Sequence, residues 1–520
     1  MPRITFLGHA GMACEVDGLR ILVDPWFSPT GAFLGSWFQY PRNDHLDLER
    51  LVDVDYLVMS HEHGDHFDPW VIERLPPRTR VLIPKYPAPI FRELVAGVCP
   101  NPVTELEPWE KYSIGGSGSW VMAIPEPSPR YHDAALLFSL DGRTVLHCND
   151  AMLTAEQARR AKYLGGGRID LMAIQTSGAS WHPMCYSYGP DQMRQIAMEK
   201  RVAKLRGVQR LVRATNPELA VPFAGPPCFL DPELFQHNWV LQREDGAFID
   251  AEAAAAWLRE HLPRQLWSDF RPGDTVDLST LAITRDPISA KFDYEDGREE
   301  YLRRYARDRA EAIGLFKQAH PQPADDLFER FRAHFIHLGT LNAYFLERID
   351  MTVRFAVTGD AGGLWDVRMR PEGVDVVHAD PSTSVPYQIT VGDRWLEAVL
   401  AERAGWEDLF LSLRVSLDRD PDVHNSYLIT FLKFADATAL DAVEAYETGR
   451  DESDRIVVED GGRKYEIARY CPHAGADLSI GAIVEDGKVK CLGHNLEFDL
   501  ETGACLNARC NPLPTMRLSD

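Results

Sequence analysis

Two short segments near the C-terminal end of this 520-residue chain each pair a cysteine with a histidine, and this pairing constrains the fold more than any other feature. The first segment is CPH at 471–473, and the second is CLGH at 491–494. Two thiolates and two imidazoles make a complete ligand set for a metal centre, provided that two loops bring them to one point. Glycines beside both segments permit the tight loops that such a centre requires.

The spacing C-x-H with C-x-x-H, together with the FDLETG tail at 498–503, resembles the Rieske family. In that family two cysteines bind one iron of a [2Fe–2S] cluster and two histidines bind the other. A zinc site with two cysteines and two histidines is the alternative, and the spacing and the tail argue against it. The resemblance implies four cluster ligands, which are Cys471, His473, Cys491 and His494.

One difference from the respiratory-chain Rieske proteins indicates which members of the Rieske family this domain resembles. Respiratory-chain Rieske proteins carry an additional cysteine in each loop, whereas Ala476 stands at the corresponding place in the first loop here. The similarity is therefore to Rieske ferredoxins and oxygenases, and the cluster is expected to act as a one-electron carrier. Cys505 and Cys510 lie outside the pattern and receive no role.

A second cluster of histidines, SHEHGDH at 60–66, ends the continuous apolar run VDYLVMS at 54–60, which predicts a strand buried on both faces. The pattern H-x-H-x-D-H resembles the metal-binding signature of the metallo-β-lactamase superfamily. An extended turn directs the first two histidines of the motif, His61 and His63, to one metal ion. The aspartate and the last histidine, Asp65 and His66, reach a second metal ion. The resemblance implies a dinuclear centre with the ligands His61, His63, Asp65, His66, His132 and Asp150, of which Asp150 is the bridging carboxylate.

The last histidine of the superfamily pattern is missing. Relatives usually carry it after a late strand, but the matching stretch VPFAGPPC at 221–228 has none. Either His182 or His237 completes the second metal, or that metal keeps an open position for oxygen or substrate. Asp150, His182 and Asp133 are the candidate catalytic residues.

Two further residues fall where this superfamily lines its site. His9 lies in LGHAG and Asp24 lies in LVDPW, each directly after a strand-like segment. Both are interpreted as supports of the metal ligands rather than as ligands themselves.

The expected fold class is α/β: an αββα metallo-β-lactamase fold, a middle α+β domain and a C-terminal all-β Rieske domain. Strand and helix signals alternate to about residue 225, which indicates layered α/β architecture. The expected domain limits are 1–290, 291–440 and 454–520. The middle domain is faintly similar to the sterol-carrier-like domains of alkyl sulfatases, and a scaffold or dimerisation domain is the alternative.

The charge and the composition of the chain limit the classes of substrate and partner that are expected. The formal net charge of −23 argues against nucleic acid and is more compatible with a neutral or cationic substrate than with a polyanion. Nine cysteines are an odd number spread over a long chain, unlike a secreted disulfide framework, so a cytoplasmic location is expected. The chain has no apolar run long enough to span a membrane and no signal-peptide pattern at its start.

The two metal centres together suggest a reaction class. Zinc is redox-inert and would not use an electron carrier, so iron is expected in the dinuclear site. The leading hypothesis is a Rieske-coupled non-haem di-iron monooxygenase that uses O₂ to oxidise a small metabolite, for example at nitrogen or an amide group. One alternative is a zinc metallohydrolase with a Rieske regulatory domain, and another is an electron-transfer or redox-sensing protein that turns over no organic substrate.

The combination of modules resembles the CMP-N-acetylneuraminate hydroxylases, with the order of the two domains reversed. This resemblance implies a monooxygenase that receives electrons from an external donor, a ferredoxin or a flavin reductase using NAD(P)H. A homo-oligomer is suggested by analogy with Rieske oxygenases.

Overall fold

The computed structural model describes residues 1–115, 118–240, 246–294, 296–323, 326–450, 453–492 and 496–518. The chain divides into two compact units. The first unit contains Met1–Pro127, Tyr131–Ala179 and Arg194–Gly314, and the second contains Ser128–Arg130, Ser180–Met193 and Leu315–Asp520. No helix in the described part of the chain combines the length and the apolar character needed to cross a membrane.

The first unit contains two β-sheets. Its strands are β1 (Arg3–Gly8), β2 (Gly11–Val16), β3 (Leu19–Val23), β4 (Trp37–Phe38), β5 (Tyr56–Val58), β6 (Arg80–Pro84), β7 (Val103–Leu106), β8 (Tyr112–Ser113), β9 (Trp120–Pro125), β10 (Ala134–Leu140), β11 (Arg143–His147), β12 (Leu171–Gln175), β13 (Leu219–Phe223), β14 (Cys228–Phe229), β15 (Thr275–Asp277) and β16 (Ile283–Thr284). Within the described residues one sheet has eight strands in the order β16-β15-β1-β2-β3-β5-β6-β7, and the other has six in the order β13-β12-β11-β10-β9-β8.

Helices cover the outer faces of both sheets. From the N-terminus to residue 319 the helices are α1 (Leu48–Leu51), α2 (Pro69–Ile72), α3 (Ile90–Val98), α4 (Ala155–Leu164), α5 (Trp181–Met184, in the second unit), α6 (Pro190–Thr215), α7 (His237–Val240), α8 (Ala251–His261) and α9 (Arg298–Ala319). Buried side chains of α2 and α3 pack on the first sheet, and those of α4, α6 and α8 pack on the second. A third apolar cluster joins the inner faces of the two sheets. The αββα layering expected from the sequence is therefore confirmed.

The apolar composition of the central strands accounts for their complete burial. Every residue of β10, AALLFSL, is buried, because this strand lies between neighbours on both sides and is covered on both faces. Strands β3, β5, β6 and β7 run parallel, as do β11, β12 and β13. The carboxyl ends of parallel strands meet at one edge of each sheet, and polar side chains after these strands are thereby brought together.

The second unit contains the remaining strands and helices. They are α10 (Leu327–Leu338), α11 (Ala343–Ile349), β17 (Met351–Thr358), β18 (Gly363–Arg370), β19 (Gly373–His378), β20 (Tyr387–Gly392), α12 (Asp393–Leu400), α13 (Trp406–Leu411), β21 (Val415–Arg419), β22 (His424–Asn425), α14 (Ser426–Phe434), α15 (Ala437–Thr448), β23 (Arg455–Asp460), β24 (Arg463–Ala468), α16 (Leu478–Gly481), β25 (Ala482–Glu485), β26 (Lys488–Cys491), β27 (Glu497–Asp499), β28 (Ala508–Arg509) and β29 (Thr515–Arg517).

Two kinds of sheet share this unit. Strands β17–β21 form a mixed sheet in the order β19-β18-β17-β20-β21, and β23-β24-β29 and β25-β26-β27 form two small antiparallel sheets. Strand β22 pairs in parallel with β28, so the α+β part and the small sheets are joined by backbone hydrogen bonds. The expected limits at 290, 440 and 454 stay a prediction.

Candidate metal centres

The SHEHGDH segment follows β5 at the carboxyl edge of the first sheet. Its start is fixed by Asp24, which follows the parallel neighbour β3: Ser60 donates to Asp24 through its backbone N–H (2.7 Å) and its hydroxyl (2.6 Å). The segment then turns tightly, since the backbone N–H of His66 donates to the His63 carbonyl at 2.8 Å. Asp68 closes the turn by capping α2 and accepting the backbone N–H of Phe27 at 2.7 Å. A rigid turn therefore presents the histidines.

One group of ligand atoms comprises His61, His63 and Asp133, whose donor atoms converge within 4.8 Å of one another. The two histidine rings contact each other, with Nε2 of His61 2.9 Å from Nδ1 of His63. Asp133 Oδ1 lies 3.6 Å from His61 Nε2. All three side chains belong to the first unit, and together they could hold one metal ion.

A second group lies beside the first. His9, Asp65 and His66 converge within 4.8 Å, and so do His61, His66 and Asp150. His9 Nε2 lies 2.8 Å from Asp65 Oδ2, and His66 Nε2 lies 3.4 Å from Asp150 Oδ1. Because His61 and His66 come together with Asp150, this carboxylate is placed where it could contact ions in both groups.

The residues of this second group fit a cation. In the described part of the chain no group forms a hydrogen bond with Asp65 Oδ1, His66 Nε2 or Asp150 Oδ1, although all three atoms are buried. Burial alone would raise the pKa of Asp65 and Asp150, but the neighbouring His66 holds both below the usual aspartate value. Buried carboxylates that depend on nearby positive charge, with unshared lone pairs facing inward, suit a di- or trivalent metal ion.

His132 is placed differently from the sequence-based expectation. Its Nδ1 lies 3.1 Å from Glu62 Oε1, and its ring stacks on Tyr86 with 4.9 Å between centroids. It belongs to none of the convergent groups found among the described residues, whereas its neighbour Asp133 does. The geometry favours Asp133 as the third ligand beside His61 and His63, and the assignment of His132 as a ligand stays a prediction.

His182 and His237 were the candidates for the missing histidine. His182 belongs to the second unit, where its Nε2 lies 3.3 Å from the Tyr188 hydroxyl and its ring meets Tyr186. His237 lies on α7, and burial lowers its pKa to about 4. In the described part of the chain neither belongs to a convergent group, and His9 is the histidine that lies beside Asp65.

The sequence predicts His9 as a support of the metal ligands rather than as a ligand. Its backbone has a φ of 48°, and that of Asp24 is 40°, so both are non-glycine residues in the left-handed region. Such conformations are costly and cluster at functional sites. A histidine directly after a strand and before a small-residue turn was the available signal, but spacing alone does not identify its partner.

The cluster loops lie in the small sheets of the second unit. Cys471 and Cys491 are fully buried, and the pKa of Cys471 is raised well above the usual thiol value, first because the Cys491 thiol lies within hydrogen-bonding reach and second by burial. The first loop closes through Cys471, which donates to Ala476 (2.8 Å) and accepts from Gly475 (2.9 Å) along the backbone. His473 is 8% exposed.

Two adjacent buried thiols fit the cysteine side of a [2Fe–2S] cluster. The second loop starts at the end of β26, where Cys491 donates to the Leu496 carbonyl at 2.8 Å. The fourth expected ligand, His494, lies outside the described residues.

Comparisons with known proteins identify both parts of the chain. Residues 3–224 match the Beta-lactamase superfamily domain, and residues 431–517 match the Rieske [2Fe-2S] domain. A Rieske 2Fe-2S iron-sulfur protein of Mycolicibacterium smegmatis is 30% identical over 99% of this chain and 100% of its own length. Cytidine monophosphate-N-acetylneuraminic acid hydroxylase of Cricetulus griseus is 23% identical over 81% of this chain and 74% of its own.

Among solved structures, CmlA, a diiron beta-hydroxylase from Streptomyces venezuelae, is 17% identical and covers 55% of this chain and 54% of its own, with a TM-score of 0.36. That score is too low to show a shared overall fold. The mycobacterial relative, in contrast, matches from end to end. The chain belongs to the family of this Rieske 2Fe-2S iron-sulfur protein, with a metallo-β-lactamase-type domain at the N-terminal side and a Rieske domain at the C-terminal side.

Proposed function

We propose that the chain is a Rieske-coupled non-haem di-iron monooxygenase that uses O₂ to oxidise a small metabolite. The observation that carries the proposal is the presence, in one chain, of a Rieske domain and a histidine–carboxylate cluster that could hold metal ions. A hydrolytic zinc pair would make no use of electrons, because zinc has no redox chemistry. The set His61, His63 and Asp133, two histidines with one carboxylate, is typical of iron sites that activate oxygen.

The chain's own residues would hold and orient the metal ions, and bound iron would supply the redox chemistry with O₂. Asp150, which converges with His61 and His66, would be the carboxylate shared between the two positions. Asp24 Oδ2 lies 3.0 Å from His66 Nδ1, and a hydrogen bond between them would leave Nε2 of His66 for the metal. His9 and Asp65 complete the second position, and Asp133 the first.

The proposed partners follow from the carrier domain. A Rieske cluster passes one electron at a time, so a cytoplasmic ferredoxin or a flavin reductase using NAD(P)H is proposed as the donor. The relative named as a hydroxylase supports oxidation rather than hydrolysis, with a nitrogen or amide group of a small metabolite as the proposed position of attack. Assembly into a homo-oligomer is proposed by analogy with Rieske oxygenases.

Metal content tests the proposal. Protein produced in iron-supplied cells and purified without air is analysed for iron and zinc, and its O₂ consumption is followed with dithionite-reduced cluster. About four irons per chain are expected, two in the cluster and two at the histidine–aspartate centre. The matched control is His61→Ala, which is expected to keep about two irons and the cluster spectrum but to lose O₂ consumption.

Two outcomes contradict the proposal. About two irons with about two zincs per chain would favour the zinc metallohydrolase. Four irons without any O₂ consumption that depends on His61 would leave electron transfer alone as the activity.

A further inference from the structure

We propose that the edge of the second sheet beside Asp150 contains a binding position for a substrate carboxylate, formed by Lys200 and Lys204 of α6 and by the hydroxyl groups of Thr176 and Ser177 after β12. This inference rests on the proposed function, because it names the substrate class of the same centre. All of these residues belong to the first unit.

Lys204 is the central residue of this position. Its Nζ donates to the side-chain carbonyl of Gln175, the last residue of β12. An ammonium group has three donors, and in the described part of the chain no carboxylate lies at salt-bridge distance from Lys204. The helix therefore brings a half-buried cation to the sheet edge and leaves donors available there.

The charge of Lys204 interacts with carboxylates of the candidate metal centre. Burial lowers the pKa of Lys204, and the carboxylates of Asp150, Glu126 and Asp133 oppose this effect. Two of these carboxylates belong to the candidate metal ligands, so the ammonium group and the centre share one electrostatic environment. A group held by Lys204 would therefore be near the metal ions.

A second lysine strengthens the positive field. Lys200 is four residues before Lys204 on α6, so both side chains are on the same face of the helix, one turn apart. Burial, and then the charge of Lys204, lower the pKa of Lys200 to about 8. Lys200 Nζ also lies 5.1 Å from the centre of the Phe248 ring, so this lysine adds positive charge beside Lys204 while its own ammonium group contacts the aromatic ring.

Two buried hydroxyl groups lie at the same edge. Thr176 and Ser177 directly follow β12 and are 3% and 6% exposed. In the described part of the chain the hydroxyl oxygens of both have no hydrogen-bond partner. Because β11 and β12 are parallel, these hydroxyls and Asp150 follow adjacent strands at one edge. A buried hydroxyl without a partner is costly, so a ligand that accepts its proton is favoured.

These groups together select a carboxylate. Its two oxygens can accept hydrogen bonds from an ammonium group and from hydroxyls at the same time. A neutral ligand would gain less from the ammonium group of Lys204, and a cation would be repelled by it. This expectation differs from that based on the net charge of −23, which favours neutral or cationic substrates.

Binding of a small carboxylate tests the inference without catalysis. The metal-loaded full chain is titrated with butanoate, with its uncharged amide butanamide and with inorganic phosphate, and the thermal midpoint is recorded at each concentration. Butanoate is expected to raise the midpoint in a saturable manner, and butanamide is not. Lys204→Met is expected to weaken butanoate binding at least about tenfold, since hydrogen bonds to charged groups are involved.

Matched variants separate this position from general charge effects. Arg206→Met removes a positive charge from an exposed position of the same helix and should leave butanoate affinity unchanged. Lys204→Arg should retain part of the affinity for butanoate, and Ser177→Ala should reduce this affinity. The thermal midpoint of each variant without ligand shows whether the protein is folded.

Three results would overturn the inference. Butanoate that binds equally well to Lys204→Met contacts another part of the protein, such as the metal ions. Equal binding of butanamide would exclude a charge-selective position, and tighter Lys204-dependent binding of phosphate would exclude the carboxylate class.

The titration is independent of the proposed function. A zinc protein that binds butanoate through Lys204 would refute the monooxygenase and keep the carboxylate position. An iron protein that consumes O₂ but whose butanoate binding does not depend on Lys204 would support the monooxygenase and refute the carboxylate position.

Discussion

Nδ1 of His66 lies 3.0 Å from Oδ2 of Asp24, and the same carboxylate accepts both the hydroxyl and the backbone N–H of Ser60. Asp24 is fully buried and follows β3, so one side chain joins the ends of two adjacent parallel strands. With Nδ1 held by Asp24, the other ring nitrogen of His66, Nε2, lies 3.4 Å from Asp150 Oδ1. The orientation of a candidate metal ligand therefore depends on a residue outside the metal-binding motif.

We expect Asp24→Asn to weaken metal binding about 10- to 100-fold, the effect usual for a lost support of a metal ligand. Asparagine tolerates the left-handed backbone of this position, so the fold should remain. Metal retention against increasing chelator measures the effect, with the exposed Asp53→Asn as the control. Unchanged retention in Asp24→Asn would show that His66 needs no such support.

The two neighbours His132 and Asp133 allow a direct comparison. We expect Asp133→Ala to lower the metal content of the histidine–aspartate centre, because Asp133 Oδ1 lies 3.6 Å from His61 Nε2. His132→Ala should keep that content, because the His132 ring contacts Glu62 and Tyr86 instead. The metal content of both purified variants tests this prediction. A loss of metal in His132→Ala but not in Asp133→Ala would identify His132 as the ligand.

His334 should make the second unit less stable in acid. Its Nε2 accepts a hydrogen bond from Trp406 Nε1 at 3.0 Å, which needs the neutral ring, and burial lowers its pKa from 6.5 to about 4. The unfolded chain then binds more protons than the folded unit between these values, so this contribution is complete above pH 6.5 and is lost as the pH falls towards 4.

The variant His334→Gln is expected to show a shallower fall of the unfolding midpoint over this pH range, because glutamine accepts the same hydrogen bond and does not titrate. Parallel thermal melts of both proteins measure the difference. Identical pH profiles would show that His334 makes no contribution.

A buried ion pair in the second unit should be important for stability. Arg130, 2% exposed, donates through Nε to Glu447 at 2.9 Å, and the same carboxylate accepts the hydroxyls of Tyr344 and Tyr427. We expect Arg130→Met to lower the free energy of unfolding by about 3–5 kcal/mol, because it leaves a buried carboxylate without its cation. Chemical denaturation of the second-unit transition measures this.

The control for this variant is Arg332→Met in the same unit. Arg332 lies 3.8 Å from Glu329 in an exposed pair, for which a change below about 1 kcal/mol is expected. Similar losses in the two variants would contradict the role assigned to burial.

Much of the fold could be predicted because local patterns determine it. The apolar run RVLIP at 80–84 predicts a strand and forms β6, and the strand-like segments MTVRFAVTG, LWDVRMR and VDVVHA form β17, β18 and β19. The sequence over 66–76 predicts a helix, but the structure has only the short α2 (Pro69–Ile72), because the SHEHGDH turn continues up to its Asp68 cap.

The candidate metal ligands that share a motif were predictable from their spacing, and Asp150 was predicted from the family resemblance. His61, His63, Asp65 and His66 are within six residues of one another, so the chain itself brings them together. Asp133 and His9 lie on distant segments, and which of two adjacent side chains faces inward depends on the strand that follows. The spacing of residues in the sequence does not show which of the two side chains faces inward.

The sequence by itself determined the cysteine–histidine and histidine–aspartate motifs, the α/β class and the pairing of two modules, because hydrophobic period and motif spacing are local properties. Only the tertiary structure decided that His9 lies beside Asp65, that Asp24 orients His66 and that Lys204 reaches the edge with Asp150. These contacts join strand ends that are far apart in the chain, and parallel pairing brings such ends to one edge only after folding.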